Sequence, residues 1–414
     1  MQKLIKIIHQ TVWQTVFKVI TTLGGFIILG IVSRNYGEAG LGNFTLALTY
    51  LAFFYVLADF GFNGYILRRL QGTGYRVQNE WRKLLGVRIL WGGFLTILAA
   101  TLPLIFTPGL SDFKLAVLVG ALTIFLNSIF FCVQALIQVN LKYEYSSWPV
   151  FLSAPAGVLL IFYLSSVRAP VYLLTAGYVL SWLVYTCLLL LLVRRIIKQL
   201  FPIFSKKYLV ALFQGSFPLA ATLFLNVIYF RADAFILSFF KGSAEVGVYN
   251  LAYQVFQAIL VLPAFMMNSY YPMMLKARKT SKLASLGLLI LSLAILLTTY
   301  YLSPVIIKLI TGSGFAGSVE SLKILSFGFP AYFLSALLMW VMVAKKKYKS
   351  LLVVYGLGLI VNIAANLYSI PQYGFVAASW ITGISEYLIL AMQIVSLQSS
   401  VFSFQKNKNL TTDS

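Results

Sequence analysis

Tyr36-Gly37-Glu38-Ala39-Gly40-Leu41-Gly42-Asn43-Phe44-Thr45-Leu46-Ala47 is matched, 205 residues later, by Lys241-Gly242-Ser243-Ala244-Glu245-Val246-Gly247-Val248-Tyr249-Asn250-Leu251-Ala252. Gly37 aligns with Gly242, Gly42 with Gly247, Phe44 with Tyr249 and Ala47 with Ala252. The offset is nearly half of the 414 residues. Each copy joins the end of one apolar run to the start of the next. A repeat of this length with the same topology in both copies describes one membrane module used twice. The bland alternative is that Gly-containing turns recur in any polytopic chain. The shared offset favours the repeat.

Working outward from these turns, the chain reads as twelve apolar spans: 11–33, 43–67, 85–107, 115–140, 148–166, 170–193, 208–240, 248–274, 284–307, 322–344, 350–370 and 374–398. Each is long enough for a hydrocarbon core of about 30 Å, which takes about 20 apolar residues. The expected fold is all-α and integral to the membrane. It has two pseudo-symmetric six-helix lobes, 1–200 and 201–414, around a central cavity.

Charge sets the orientation. Of the 32 Lys and Arg, 24 fall in alternate loops and the two termini, and 6 fall in the opposite loops. Arg88 is counted with the first group. Only Lys18 and Arg231 are then left inside spans. The positive-inside rule places the rich loops and both termini in the cytoplasm. A net charge of +22 in a soluble chain would point to nucleic acid. At 60% hydrophobic and 10% charged, this chain has no soluble basic domain to carry such binding. The basic loops instead hold topology and meet anionic headgroups. Residues 1–10 lead into a full-length span, with no cleavable signal. Cys132 and Cys187 lie in spans and read as small buried hydrophobes.

Ionisable groups inside spans cost about 2.5–3.5 kcal/mol each at the centre, so each is a functional candidate. Five are found: Lys18, Asp59, Arg231, Asp233 and Glu386. Lys18 shares a stripe with Gln14, Thr21 and Gly25. Asp59 shares one with Thr45, Thr49, Ala52 and Asn63. Lys18 and Asp59 stand at similar depth on either side of the Glu38–Ala39 turn, so they form either an ion pair or a charged cavity floor. Span 7 carries Thr222, Asn226, Tyr229 and Asp233 on one stripe. Arg231 and Asp233 point about 200° apart and cannot pair face to face. Reflection through the span 7–8 turn points towards Gln254 and Gln257. Span 12 carries Ser379, Thr382, Glu386 and Gln393, and span 11 adds Asn362 and Asn366. A mid-membrane Glu serves a proton or cation relay, or stays protonated and bonds a neighbouring helix. Tyr143, Tyr145, Trp148, Tyr270, Tyr271, Tyr300 and Tyr301 read as an interface belt.

Local enzyme chemistry is not found. No two acids lie within ten positions of one another, no G-x-x-x-x-G-K-[ST] occurs, and His9 is the only histidine. Neither a metal nor a cofactor is expected.

Ser33-Arg34-Asn35-Tyr36-Gly37 with Gly42-Asn43-Phe44, then Leu57-Ala58-Asp59-Phe60-Gly61-Phe62, resembles the opening of polysaccharide-biosynthesis flippases, the Wzx-type O-antigen transporters. Arg231-Ala232-Asp233-Ala234-Phe235-Ile236-Leu237, Val246-Gly247-Val248-Tyr249, Leu262-Pro263 and Tyr271-Pro272 are similar too. That family belongs to the multidrug/oligosaccharidyl-lipid/polysaccharide exporter superfamily. The resemblance implies a cationic central cavity and ion-driven export of an undecaprenyl-diphosphate-linked oligosaccharide. Lys18 and Arg231 would then attract the diphosphate, with Asn226, Asp233 and Asp59 along the substrate path. Glu386 and Asp59 are the candidates for ion coupling. The expected partners are the lipid-linked substrate, membrane lipids and a polysaccharide polymerase, with the chain itself a monomer in the bacterial cytoplasmic membrane. Lipid II flippases usually have fourteen spans and a more Arg-rich cavity, and this chain departs from both. A cation-coupled multidrug exporter, which would place acids at its ligand, is the competing class. A membrane-embedded enzyme or scaffold of the same pathway is a third.

Overall fold

The computed structural model describes residues 2–67, 75–106, 111–140, 142–194, 196–197, 199–277 and 282–410. Within these ranges side chains are described except at 2–12, 14, 75–76, 106, 268–269, 271–273, 275–277, 282 and 399–410. His9, Gln14, Arg68, Arg69, Tyr271, Lys276, Arg278, Lys279, Lys406 and Lys408 therefore fall outside what is described, at least in their side chains.

The described chain is helical throughout: α1 (Gln2–Asp59), α2 (Phe62–Ile66), α3 (Tyr75–Phe106), α4 (Asp112–Gly120), α5 (Leu122–Asn140), α6 (Glu144–Ser147), α7 (Val150–Ser166), α8 (Thr175–Val193), α9 (Lys206–Phe240), α10 (Ser243–Ile259), α11 (Val261–Ala277), α12 (Lys282–Thr311), α13 (Ala316–Ser326), α14 (Phe329–Ala344) and α15 (Tyr348–Leu410). A 3₁₀ turn, Val171–Leu174, leads into α8.

Among the described residues nine helices are long and apolar enough to cross a bilayer. They become ten if Ala316–Ser326 and Phe329–Ala344, bent by 44°, form one span. Two of the nine are far too long for one crossing. Thr15–Ile66 has 52 residues and Tyr348–Gln398 has 51, each about 77 Å at 1.5 Å per residue. Each is broken at a glycine in the left-handed φ range. Gly37 has φ 65° and ψ −166°, and Gly374 has φ 56° and ψ −136°. An L side chain pays for such a backbone and glycine does not. Thr15–Ile66 covers the expected spans 11–33 and 43–67 except for residues 11–14 and 67. Tyr348–Gln398 holds 350–370 and 374–398.

The outer faces are apolar. Ile97, Leu159, Leu309 and Ile360 are each about two-thirds exposed or more, as lipid-facing side chains are. Cys187 is also exposed, which corrects its expected burial, while Cys132 is buried.

The chain divides into two compact units, Met1–Arg231 and Ala232–Ser414. In the first, α7 packs on α8, α3 on α5, and α1 on α4 and α7. The α7–α8 contact is a close backbone approach: a Cβ on Gly157 would meet the Gly177 carbonyl at 2.6 Å. Small residues permit this where lipid offers no hydrophobic drive for association. The inner core gathers Phe62, Trp81, Leu84, Cys132, Leu136, Tyr185, Leu189 and Tyr208. In the second unit α10 packs on α13, α12 on α13 and α14, and α14 and α13 on α15.

Candidate functional site

Each unit holds a cluster of buried polar groups. In the first it forms where α1 ends. The chain turns through Phe60 (φ 46°) and Gly61 (φ 65°) into α2. Arg88, on α3, reaches this turn and is fully buried. Its Nη2 donates to Asp59 Oδ1 at 3.3 Å and to Asn63 Oδ1 at 2.9 Å. Its Nη1 donates to the carbonyls of Ala58 and Asp59. The guanidinium lies 4.9 Å from the Phe62 ring centre and 5.5 Å from that of Phe131. Asn63 Nδ2 donates to the Phe131 carbonyl at 3.0 Å, and Ser128 Oγ to the Arg88 carbonyl at 2.9 Å. The cation is thus repaid by a counter-ion, several acceptors and two aromatic faces, which is what a buried Arg requires.

This corrects two expectations. Asp59 has Arg88 as its ion-pair partner, not Lys18. Arg88 belongs within a candidate span, Val77–Ile105, not with the loop charges. Its position three residues inside the expected span 85–107 was the signal that could have found it.

The second cluster is built on α15. Asp233, buried near the end of α9, accepts the hydroxyl of Tyr249 on α10 and that of Thr382 at 3.2 Å. Asp233 Oδ1 also accepts the backbone N–H of Ala234 at 2.7 Å. The hydroxyl reaching Asp233 is thus on Tyr249, closer to the turn than Gln254 or Gln257. One helical turn beyond Thr382 stands Glu386, also buried. On the same face Ser379 bonds Ser321 at 2.7 Å, Asn362 Nδ2 donates to Ser385 at 3.0 Å, and Asn366 Nδ2 donates to Asn362. Gln393 Nε2 donates to Tyr355 at 3.4 Å. The stripe expected on span 12 is therefore turned inward, where hydroxyls and amides bond to one another, although the Gln393 Oε1 carbonyl is buried without a hydrogen bond.

The remaining candidates lie elsewhere. Lys18 and Thr21 are exposed on α1, and Thr222 and Asn226 are exposed on α9. Arg231 is half-buried and is the last residue of the first unit. Asp233 and Glu386 share the α15 face through Thr382. Neither Lys18 nor Asn226 makes an ion pair or hydrogen bond with Asp59, which is paired with Arg88. Among the described residues no group of three or more His, Cys, Asp or Glu could hold a metal ion.

Several solved structures share this fold. A lipid II flippase MurJ in an inward closed conformation matches with a TM-score of 0.73 and 15% identity, over 92% of this chain and 87% of that one. An inward-facing multidrug resistance MATE family transporter of the MOP superfamily matches with a TM-score of 0.75 and 14% identity, over 93% and 95%. An outward-facing MATE transporter matches with a TM-score of 0.62 and 12% identity, over 96% of each chain. These neighbours are flippases and transporters, not enzymes. No curated protein is matched. The family of polysaccharide biosynthesis proteins matches residues 7–278, well over half of the sequence, and the chain belongs to that family.

Proposed function

We propose that this protein moves an undecaprenyl-diphosphate-linked oligosaccharide across the bacterial cytoplasmic membrane by alternating access, for O-antigen or capsule assembly. The observation that carries the reading is the exposure of Lys18, Thr21, Thr222 and Asn226 on otherwise apolar spans. At membrane depth an exposed ammonium is tolerated against a water-filled cavity and penalised against hydrocarbon. Counting each glycine-broken helix as two spans, and the bent pair as one, yields twelve. Two six-helix lobes, 1–200 and 201–414, would then enclose that cavity. The repeat supports this. Gly40 lies against Val171, and Glu245, which is 205 positions later, lies against Phe375.

In this reading Lys18 attracts the diphosphate as a point charge, and Arg231 offers it a planar fork. Asn226, Asp233 and Asp59 line the path, with Asp59 set by Arg88. Glu386, buried on a polar face, couples transport to an ion gradient, with Asp59 as the second candidate. Both termini are cytoplasmic, the lipid tail stays in the bilayer, and the chain works as a monomer beside the polysaccharide polymerase. A cation-coupled multidrug exporter is the second reading, favoured by the buried acids Asp233 and Glu386 and by the MATE neighbour.

Loss of the protein from its own host tests the reading. Lipid-linked oligosaccharide should accumulate on the cytoplasmic leaflet and surface polysaccharide should fall. Unchanged lipid-linked sugar together with raised drug sensitivity would establish the exporter instead.

A further inference from the structure

Residues 194–207 run Arg-Arg-Ile-Ile-Lys-Gln-Leu-Phe-Pro-Ile-Phe-Ser-Lys-Lys, with five basic side chains and no acid. The segment joins the spans Val171–Val193 and Lys206–Phe240, so it has no room to leave the membrane surface. It is also tied down. Ile197 is buried in the inner core, with Ile196 and Leu200 packed against it. Arg82 Nε donates to the Phe201 carbonyl at 2.7 Å, and Arg82 Nη1 to Gln199 Oε1 at 2.9 Å. The Ile203 N–H donates to the Arg82 carbonyl at 3.0 Å. Gly86 lets the Ile203 carbonyl approach α3 more closely than any Cβ would allow.

These bonds hold the aliphatic side chains inward and leave two aromatic ones outside. Phe201 is 78% exposed and Phe204 is 58% exposed. Arg194, Lys206 and Lys207, in the same segment, are exposed as well. The nearby acid, Glu80, is already engaged by Lys83 at 3.1 Å. A strap fastened to α3, with two exposed phenyl rings and three exposed cations, fits one environment: the boundary between acyl chains and anionic headgroups.

We infer that Arg194 and residues 199–207 form an interfacial strap that binds anionic phospholipid of the cytoplasmic leaflet. It rests on the cytoplasmic placement of this loop in the function proposed above, and not on the identity of the cargo. Lys206 and Lys207 bind headgroup phosphates, and Phe201 and Phe204 enter the acyl boundary.

The test uses the full-length protein in detergent, titrated with phosphatidylglycerol or phosphatidylcholine, with thermal unfolding as the readout. Phosphatidylglycerol should raise the unfolding temperature more than phosphatidylcholine does. The triple variant Arg194→Gln, Lys206→Gln, Lys207→Gln should lose more than half of that difference. The corresponding variant of the other basic loop, Lys345→Gln, Lys346→Gln, Lys349→Gln, should keep most of it. Full retention in the strap variant, or loss confined to the other loop, overturns the proposal. A second measurement covers a strap variant that folds poorly. Phe204→Cys, in a background with Cys132→Ser and Cys187→Ser, carries a polarity-sensitive fluorophore. Its emission should shift to the blue in mixed phosphatidylglycerol–phosphatidylcholine vesicles relative to pure phosphatidylcholine, and identical emission in the two overturns the proposal. Neither readout involves export, so the strap and the flippase reading can fail independently.

Discussion

Arg88 Nη2 stands 3.3 Å from Asp59 Oδ1, and this pair holds the turn that ends the first hairpin. The guanidinium is fully buried, while a fifth of the Asp59 side chain is exposed. Phe60, next in the chain, takes a left-handed backbone that a non-glycine residue adopts at a cost of about 1–3 kcal/mol. Arg88 binds the carbonyls on the near side of that residue and Asn63 on its far side.

Arg88→Ala should therefore destabilise the protein by about 3 kcal/mol, as removal of one member of a buried pair does. Arg88→Lys should restore little, because one ammonium cannot reach the carbonyls, Asp59 and Asn63 together. In a double-mutant cycle followed by thermal unfolding, Asp59→Ala in the Arg88→Ala background should add little. Fully additive losses would separate the two residues.

Tyr249→Phe removes a hydroxyl from a buried carboxylate and leaves Thr382 in place. The expected cost is about 1–3 kcal/mol. Asp233→Asn should be milder, since an amide keeps an acceptor for Tyr249. An unfolding temperature unchanged by Tyr249→Phe would show that this hydroxyl does not support Asp233.

Gly374→Ala meets two obstacles. The backbone is left-handed, and the new Cβ would overlap the Glu245 carboxylate, whose Oε2 accepts the Phe375 N–H at 3.0 Å. Gly37→Ala meets only the first, because a Cβ there touches nothing within 4 Å. Gly37→Ala should therefore cost about 1–3 kcal/mol, and Gly374→Ala clearly more. Adding Glu245→Ala should recover part of the difference, and no recovery would contradict the overlap.

Single cysteines test orientation. At Ser111 and Ser313 they should react from outside with an impermeant thiol reagent, and at Ser350 they should not. Both sites expected outside are exposed in the structure. The reverse pattern would invert the topology.

Arg231 separates substrate binding from scaffolding. Arg231→Ala should abolish polysaccharide export at near-normal protein level, and Arg231→Lys should keep part of the activity. Full export by Arg231→Gln at normal level would remove phosphate binding from this residue.

Membrane class, most of the single spans and the turn at Gly37 were legible in the chain. Each depends on a one-dimensional property: apolar length against bilayer thickness, or the spacing of a repeat. The inward polar stripe of Ser379, Thr382, Glu386 and Gln393 was legible for the same reason, since helical spacing assigns residues to a face. Partners were not. Charge counting placed Arg88 at the cytoplasmic edge, whereas α3 carries it across to Asp59, 29 positions away. Helical reflection of Arg231 and Asp233 pointed to Gln254 and Gln257 and gave no hint of the hydroxyls that reach Asp233 from Tyr249 and from Thr382, 149 positions away. The chain by itself determined that it crosses the membrane many times and which face of its last span is polar. Which polar group meets which was decided by tertiary packing, because the depth and rotation of each helix follow from close contacts such as Gly157 against Gly177, which no spacing rule encodes.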